Sequence, residues 1–163
     1  MDRPKGMHPS AWEAFLAAGV DPARIGQTVG NAPASAGTHA ADGTWDCGEE
    51  YCAATDISVK RPTQIGDADV KPMLERLARH GFAVFYRKPG QDHWPADQVE
   101  HCHIVFAGIP MKEALRNQVH AFCHAPMLNG LISDVPYQYW QPSPEAQQAV
   151  RDQFLASGNP VNG

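Results

Sequence analysis

Four segments of the chain repeat their apolar residues at the spacing of an amphipathic helix. The clearest runs from about Asp67 to His80 and ends at Gly81, a residue type that commonly terminates helices. Its apolar positions are Val70, Met73, Leu74 and Leu77. Weaker patterns predict a first helix from an N-cap at Ser10 to a stop at Gly19, and two later helices over about 111–122 and 144–155.

Three shorter segments are rich in β-branched and aromatic residues, which is typical of strands. They are CAATDISVK (52–60), FAVFYRK (82–88) and HCHIVFAG (101–108). Strands and helices do not alternate as a βαβ series, so the pattern favours an α+β fold with a small, mainly antiparallel sheet flanked by helices. With 163 residues and no break in composition, the chain is predicted to form one domain, residues 1–163.

Composition and charge narrow the possible partners. The formal net charge is -5 and basic residues form no stripe, which argues against binding nucleic acid. No run of 18 apolar residues occurs, and the N-terminal segment has no apolar stretch of signal-peptide length. We therefore expect a soluble protein with no membrane insertion and no signal peptide in the chain as given, acting as a monomer.

The four cysteines leave the redox state open. Cys47 and Cys52 flank the sequence GEEY and could close a small loop in an oxidising compartment. No pair has the spacing of a zinc knuckle.

The eight histidines fall into two groups. Four lie on or beside predicted helices, where a structural role is favoured: His8, His80, His120 and His124. The other four lie in loops or at strand starts beside carboxylates: His39, His93, His101 and His103.

These histidines and carboxylates suggest a metal site. Asp56 lies inside a predicted strand, where a buried carboxylate needs a partner, either a metal ion or a cation such as Arg61 or Arg87. Catalytic zinc sites use three protein ligands and leave a fourth position for water. His39, one Asp and one His of the sequence EHCH would complete such a set. Because side chains alternate along a strand, His101 and His103 should share one face.

The segments GTHAADG and YCAATDISV, followed by EHCH, resemble the zinc D-alanyl-D-alanine carboxypeptidases and dipeptidases, which share a metal-binding fold with hedgehog signalling domains. That family has an early His, an Asp two residues after a small residue on a strand, and a late Glu-x-x-His. Ala54 and Asp56 match the second element, and Glu100 and His103 match the third. The resemblance implies a hedgehog/DD-peptidase-like fold with Zn²⁺ bound by His39, Asp56 and His103.

The resemblance also implies a mechanism and leaves two ligand choices. Glu100 would act as the general base of a zinc metallopeptidase that cleaves a peptide or peptidoglycan fragment. Asp46 follows His39 at the family's usual interval of seven residues, but Asp56 is favoured because a strand holds a ligand more firmly than a Gly-rich loop. The Glu-x-x-His spacing favours His103, so His101 is expected to support the ligands or to face the substrate.

Further residues are candidates for contacts with the substrate. The cleft could be lined by His93 and Trp94, and a substrate carboxylate could be held by Arg24, Arg87 or Lys88. Two other functions fit the sequence: a zinc-binding module of the same fold without catalysis, and a metal-free α+β binding domain in which Asp56 pairs with an arginine.

Overall fold

A four-stranded antiparallel sheet forms the centre of the protein. The computed structural model describes residues 2–28, 38–45, 48–132 and 134–160. The strands of this sheet lie in the order β1-β4-β6-β5, and the bounds are β1 Ile25–Gln27, β4 Ala54–Ile57, β5 Phe82–Arg87 and β6 His101–Phe106. A separate hairpin consists of β2 Gly43–Trp45 and β3 Glu49–Tyr51.

Four α-helices surround the sheet in the described part of the chain. They are α1 Pro9–Ala17, α2 Asp67–Arg79, α3 Glu113–Cys123 and α4 Pro144–Ala156, with a short 3-10 helix at Pro22–Arg24. Helix α2 packs against β5 and α4, and α3 packs against β5, β6 and α4. The predicted α+β class with a small antiparallel sheet is confirmed. Across the described residues, no helix combines the length and apolar character needed to cross a bilayer.

The helix predictions are confirmed except at one end. Helix α1 begins at Pro9 with His8 as its N-cap, so the predicted N-cap at Ser10 is wrong. The ring Nδ1 of His8 accepts a hydrogen bond from the backbone N–H of Ser10 at 3.0 Å, and proline suits the first helical position because it has no N–H to satisfy. Gly19 has φ +74° and ends the helix as predicted.

The three predicted strands are present, but the sequence pattern missed β1, β2 and β3. Each of these has three residues, too few to show an alternation of apolar and polar positions. Strand β1 exists because it pairs with β4, which is a tertiary interaction.

The register of the sheet determines which side chains meet. Asp56 on β4 lies opposite His103 on β6, while Phe85 and Arg87 on β5 lie opposite His103 and His101. Since directly paired residues point to the same face, these five side chains share one face of the sheet. The histidines of β6 are therefore on the same side, as the alternation predicts.

The aromatic segment after α3 forms the irregular structure predicted for it. An antiparallel bridge joins Leu128 to Pro136, and the backbone N–H of Asn129 donates to Val135 O at 2.8 Å. This turn brings Asn129 next to Arg87, whose Nη1 donates to Asn129 O at 2.8 Å.

Candidate metal centre

Three residues from distant parts of the chain bring possible metal ligands together. His39 Nε2 lies 3.2 Å from Asp56 Oδ2, and His103 Nδ1 lies 3.2 Å from Asp56 Oδ1. One ligand atom from each of the three residues lies within 4.8 Å of the others. His39 and His103 are buried, and the Asp56 side chain is 18% exposed. These three residues could hold a metal ion.

Each imidazole is held from behind by an oxygen acceptor. His39 Nδ1 lies 2.7 Å from Thr28 O, just after β1, and His103 Nε2 lies 2.7 Å from Gln118 Oε1 on α3. A carbonyl or amide oxygen accepts only, so each of these ring nitrogens carries a proton. The opposite nitrogens, His39 Nε2 and His103 Nδ1, face the carboxylate of Asp56. Metal-binding histidines are commonly fixed in this way.

The ligand atoms of these three residues suit a divalent cation. In the neutral tautomers that these hydrogen bonds favour, His39 Nε2, His103 Nδ1 and the Asp56 oxygens are all acceptors directed at one another. Converging acceptors repel unless a cation lies between them, either a proton on an imidazole or a metal ion. Arginine does not supply that charge. Among the described residues, the groups that pair with Asp56 are His39, His101 and His103, not Arg61 or Arg87.

In the metal-free protein, the surroundings of His39 favour its protonated form. Burial lowers the pKa of His39, but its hydrogen bond with Asp56, its contacts with Cys52 and Thr28 O, and the charge of Asp56 outweigh burial and raise that pKa to about 10. For Asp56, burial favours the neutral acid, yet its close contacts with the His103 and His39 rings hold its pKa well below the usual range. Burial and the nearby Arg87 lower the pKa of His103. A metal ion that bound here would displace the proton from His39.

The cluster lies in an open cleft of about 500 Å³. The wall of the cleft is formed by Arg87, Trp94, Val99, His101, Gln118 and Leu131. Val99 and Leu131 are exposed apolar side chains, at 77% and 42%. The cleft therefore combines a polar floor with an apolar rim, as is common in ligand-binding sites.

Arg87 is the basic residue that faces this cleft. It is 2% exposed and stacks on Phe85 with 4.7 Å from the guanidinium carbon to the ring centroid. Burial lowers the pKa of Arg87 to about 10. No carboxylate among the described residues pairs with it, and its one hydrogen bond there is to the carbonyl of Asn129. The other predicted candidates are placed elsewhere: Arg24 donates to the carbonyls of the segment 58–63, and Lys88 is exposed.

Glu100, the predicted general base, and His101, the predicted supporting residue, differ in orientation. Glu100 also lines the cleft, but its carboxylate accepts a hydrogen bond from the Tyr86 hydroxyl and lies 3.7 Å from Lys60 Nζ. His101 Nδ1 lies 2.9 Å from Val99 O, and its Nε2 lies 3.6 Å from Asp56 Oδ1. His101 thus reaches the ligand cluster, whereas the described contacts of Glu100 are with Tyr86 and Lys60.

Of the remaining predicted residues, some line the cleft and others do not. Trp94 lines the cleft and packs edge-on against His101 at 5.4 Å between ring centroids. His93, in the same loop, is exposed and is not among the described residues that form the cleft wall. Asp46 lies outside the described residues, so the alternative ligand stays a prediction. Cys52 is a free, buried thiol that donates to Thr38 O at 3.6 Å, so the Cys47–Cys52 bridge is not formed in this structure.

The four histidines assigned to structural roles have contacts away from the cluster. His8 caps α1, His80 Nδ1 bonds Arg76 O, His120 packs on Phe154, and His124 Nδ1 bonds Pro126 O.

Sequence reasoning missed the residues that hold the ligands in place. Thr28 acts through its backbone carbonyl, which leaves no signal in the sequence. Gln118 lies next to the apolar positions Leu115 and Val119 of α3, so only its place on the sheet-facing side hinted at a role. The side chain of Asp42, three residues after His39, is fully buried, and no pattern in the sequence predicts that burial.

Comparison with known proteins gave no match to this chain, whether against protein-family models, curated proteins or solved structures.

Proposed function

We propose that this protein is a zinc-dependent peptidase that cleaves peptide bonds of peptidoglycan. The observation that carries the proposal is the convergence of His39, Asp56 and His103 at the floor of an open cleft. Three protein ligands are the number found in catalytic zinc sites, whereas structural zinc sites close the shell with four. The cleft gives a substrate access to the cluster.

Zinc is the metal that suits this donor set best. Two imidazoles and one carboxylate match the ligands of metallopeptidase zinc sites, and calcium or magnesium would require mostly oxygen ligands. When bound, Zn²⁺ supplies Lewis-acid activation of a water molecule and of the scissile carbonyl. Thr28 and Gln118 keep His39 and His103 in the tautomers that can bind it.

Two side chains of the cleft could accept the proton of the attacking water. The hydrogen bond of His101 Nδ1 to Val99 O leaves Nε2 as an acceptor beside Asp56, which favours His101. Glu100 is the base that the family resemblance implies. For Glu100 to serve, its carboxylate would have to exchange the Tyr86 hydroxyl for the water, because it is hydrogen-bonded to Tyr86.

Arg87 would bind a carboxylate of the substrate. A buried guanidinium that lines a cleft and lacks a carboxylate partner among the described residues suits an anionic group of the ligand. Val99 and Leu131 would contact small apolar side chains. Assignment to peptidoglycan, with its D-amino acids, comes from the resemblance of the sequence motifs to the zinc D-alanyl-D-alanine peptidases.

Metal content and cleavage test the proposal together. We expect the purified protein to bind about one zinc ion per chain and to release peptide or D-alanine from peptidoglycan fragments. Asp56→Asn should abolish both, whereas the matched control Asp46→Asn should retain both. A wild-type protein that binds no zinc, or an Asp46 variant that alone loses it, would contradict the proposed site.

Substitution of the two candidate bases tests the proton acceptor. His101→Gln should lower kcat about 10²–10⁴-fold with zinc retained, the range that a general base contributes. Glu100→Gln should have a much smaller effect. The reverse order would assign the base to Glu100.

A zinc-binding module without catalysis is the second candidate. The bond between Glu100 and Tyr86 favours it, because that bond occupies the carboxylate expected to act as the base. Bound zinc without cleavage of any peptidoglycan fragment would select this function.

A further inference from the structure

An ion pair between Asp42 and Lys112 joins the segments that carry the proposed metal ligands. The Asp42 side chain is fully buried, and its Oδ1 lies 2.8 Å from Lys112 Nζ. The same carboxylate accepts hydrogen bonds from the backbone N–H of Lys112 and of Ala53, each at 2.7 Å. Asp42 therefore has three donors and no contact with water.

Each partner of Asp42 belongs to a different part of the metal site. Ala53 directly precedes β4, which carries Asp56. Lys112 is the N-cap of α3, which carries Gln118 behind His103. The carboxylate thus connects a loop, a strand and a helix at one point.

Lys112 contacts the chain on both sides of His39. Its ammonium group donates to Thr38 O at 3.1 Å as well as pairing with Asp42. Thr38 and Asp42 lie on either side of His39 in the loop 38–42, so one ammonium group holds both ends of the loop. The loop is further fixed by the backbone N–H of Asp42, which donates to Tyr51 O at 2.7 Å.

We propose that the Asp42–Lys112 pair is a positioning unit that holds His39 in the geometry for metal binding; this inference rests on the proposed metal site. A ligand in a loop has no sheet register to fix it, unlike Asp56 and His103 on paired strands. Metal ligands must be held within a few tenths of an ångström, and that precision comes from the residues around them. A buried carboxylate with all its donors satisfied is stiff enough to supply it.

Two substitutions test the pair. Lys112→Met removes the ammonium group and retains the backbone hydrogen bond of residue 112 to Asp42. Asp42→Asn is isosteric, but its amide group can accept at one oxygen only. We expect each to weaken zinc binding about 10–100-fold, the range for residues that orient metal ligands, measured by competition with a chromophoric chelator. The visible absorption of the Co²⁺-loaded variants should also differ from that of the wild type.

A matched control separates this role from general destabilisation. Glu75→Gln disturbs partly buried hydrogen bonds between Glu75 on α2 and Ser143, the N-cap of α4, away from the cluster. It should lower the free energy of unfolding of the metal-free protein and leave zinc affinity and the Co²⁺ spectrum unchanged. Wild-type zinc affinity in folded Lys112→Met and Asp42→Asn would overturn the proposal.

A measurement on the metal-free protein tests the positioning role of Asp42 and Lys112 independently of the proposed metal site. In the metal-free protein, the ring ¹⁵N signals of His39 report the hydrogen bonds of its two ring nitrogens, Nδ1 with Thr28 O and Nε2 with Asp56. We expect both variants to shift these signals and to leave those of His80 unchanged. If the wild type binds no zinc but the His39 signals shift, the metal site falls and the positioning role stands. Unshifted His39 signals in both variants would overturn the positioning role whatever the metal result.

Discussion

Gln118 determines which nitrogen of His103 can act as a ligand. Its Oε1 accepts from His103 Nε2 at 2.7 Å, so Nδ1 is left as the acceptor that faces Asp56. Without Gln118, the buried ring could change tautomer or rotate, and its lone pair would no longer be directed at the cluster.

Gln118→Leu should therefore weaken zinc binding about 10–100-fold, as is typical of a lost bond behind a metal-binding histidine. The measurement is the dissociation constant from chelator competition at fixed pH. Gln148→Leu is the matched control, because Gln148 is exposed on α4 and contacts Asp152 and Arg151. Equal affinity in the two variants would show that Gln118 does not orient His103.

Among individual residues, the sequence predicts the metal ligands better than the residues that hold those ligands in position. His39, Asp56 and His103 stand out because a carboxylate inside a strand and histidines beside carboxylates are uncommon without a partner. The structure brings the same three together. Thr28, Asp42 and Gln118 could not be identified in advance, since their roles depend on which loop lies on which strand.

Elements with many residues were predictable, and short ones were not. Helix α2 repeats its apolar positions over 13 residues, which is enough for the helical period to be recognised. Strand β1 has three residues and is specified by its pairing with β4. The N-cap of α1 was misassigned because Ser10 is a favoured capping type, whereas His8 caps this helix through its ring nitrogen.

The contact between α2 and α4 predicts a pH-dependent contribution to stability. Glu75 accepts hydrogen bonds from the backbone N–H and the hydroxyl of Ser143, the N-cap of α4, and pairs with Arg79. Burial alone would raise the pKa of Glu75, but the bonds with Ser143 and Arg79 outweigh it and lower the pKa from its ordinary value of 4.5. The ionised carboxylate therefore stabilises the folded protein above pH 4.5, and this contribution is lost as the pH falls below that value.

Glu75→Gln should reduce the free energy of unfolding by about 1 kcal/mol at pH 7, comparable to the loss of a helix cap. The difference from the wild type should shrink as the pH falls below 4.5, because the wild-type carboxylate then becomes neutral as well. Urea unfolding of both proteins at a series of pH values measures this difference in the free energy of unfolding. Glu13→Gln, at an exposed position of α1, should show no such trend. A deficit of constant size across the pH series would rule out the ionised form of Glu75 as its source.

For the molecule as a whole, the class of fold could be predicted from the sequence. The composition of the site depends on the register in which the strands of the sheet pair, which the sequence pattern does not give. Antiparallel pairing was expected because strands and helices do not alternate as a βαβ series. Which residues of β4 and β6 lie opposite each other is set by packing over the whole sheet, and it decides that Asp56 meets His103. His39 reaches them from a loop, so its approach could not be read from the period of any element.

A metal at this site would link three segments of the chain. His39 precedes β2, Asp56 lies on β4, and His103 lies on β6, 47 residues beyond Asp56. A ligand that binds only the folded state stabilises it by mass action, by about 2.7 kcal/mol at a free concentration of 100 times Kd. For a protein of this size we expect Tm to rise by about 5–10 °C with zinc, and EDTA should abolish the rise.

His39→Asn should remove this rise in Tm, because it deletes a proposed ligand. His80→Asn is the matched control, since His80 is a helix-end histidine bonded to Arg76 O, and it should retain the full rise. Differential scanning calorimetry of the three proteins, each with zinc and with EDTA, gives the comparison. If zinc raised Tm equally in all three, the stabilising ion would bind elsewhere and His39 would not be a ligand. Because the shift depends on folding rather than turnover, this outcome holds for a peptidase and for a non-catalytic zinc module alike.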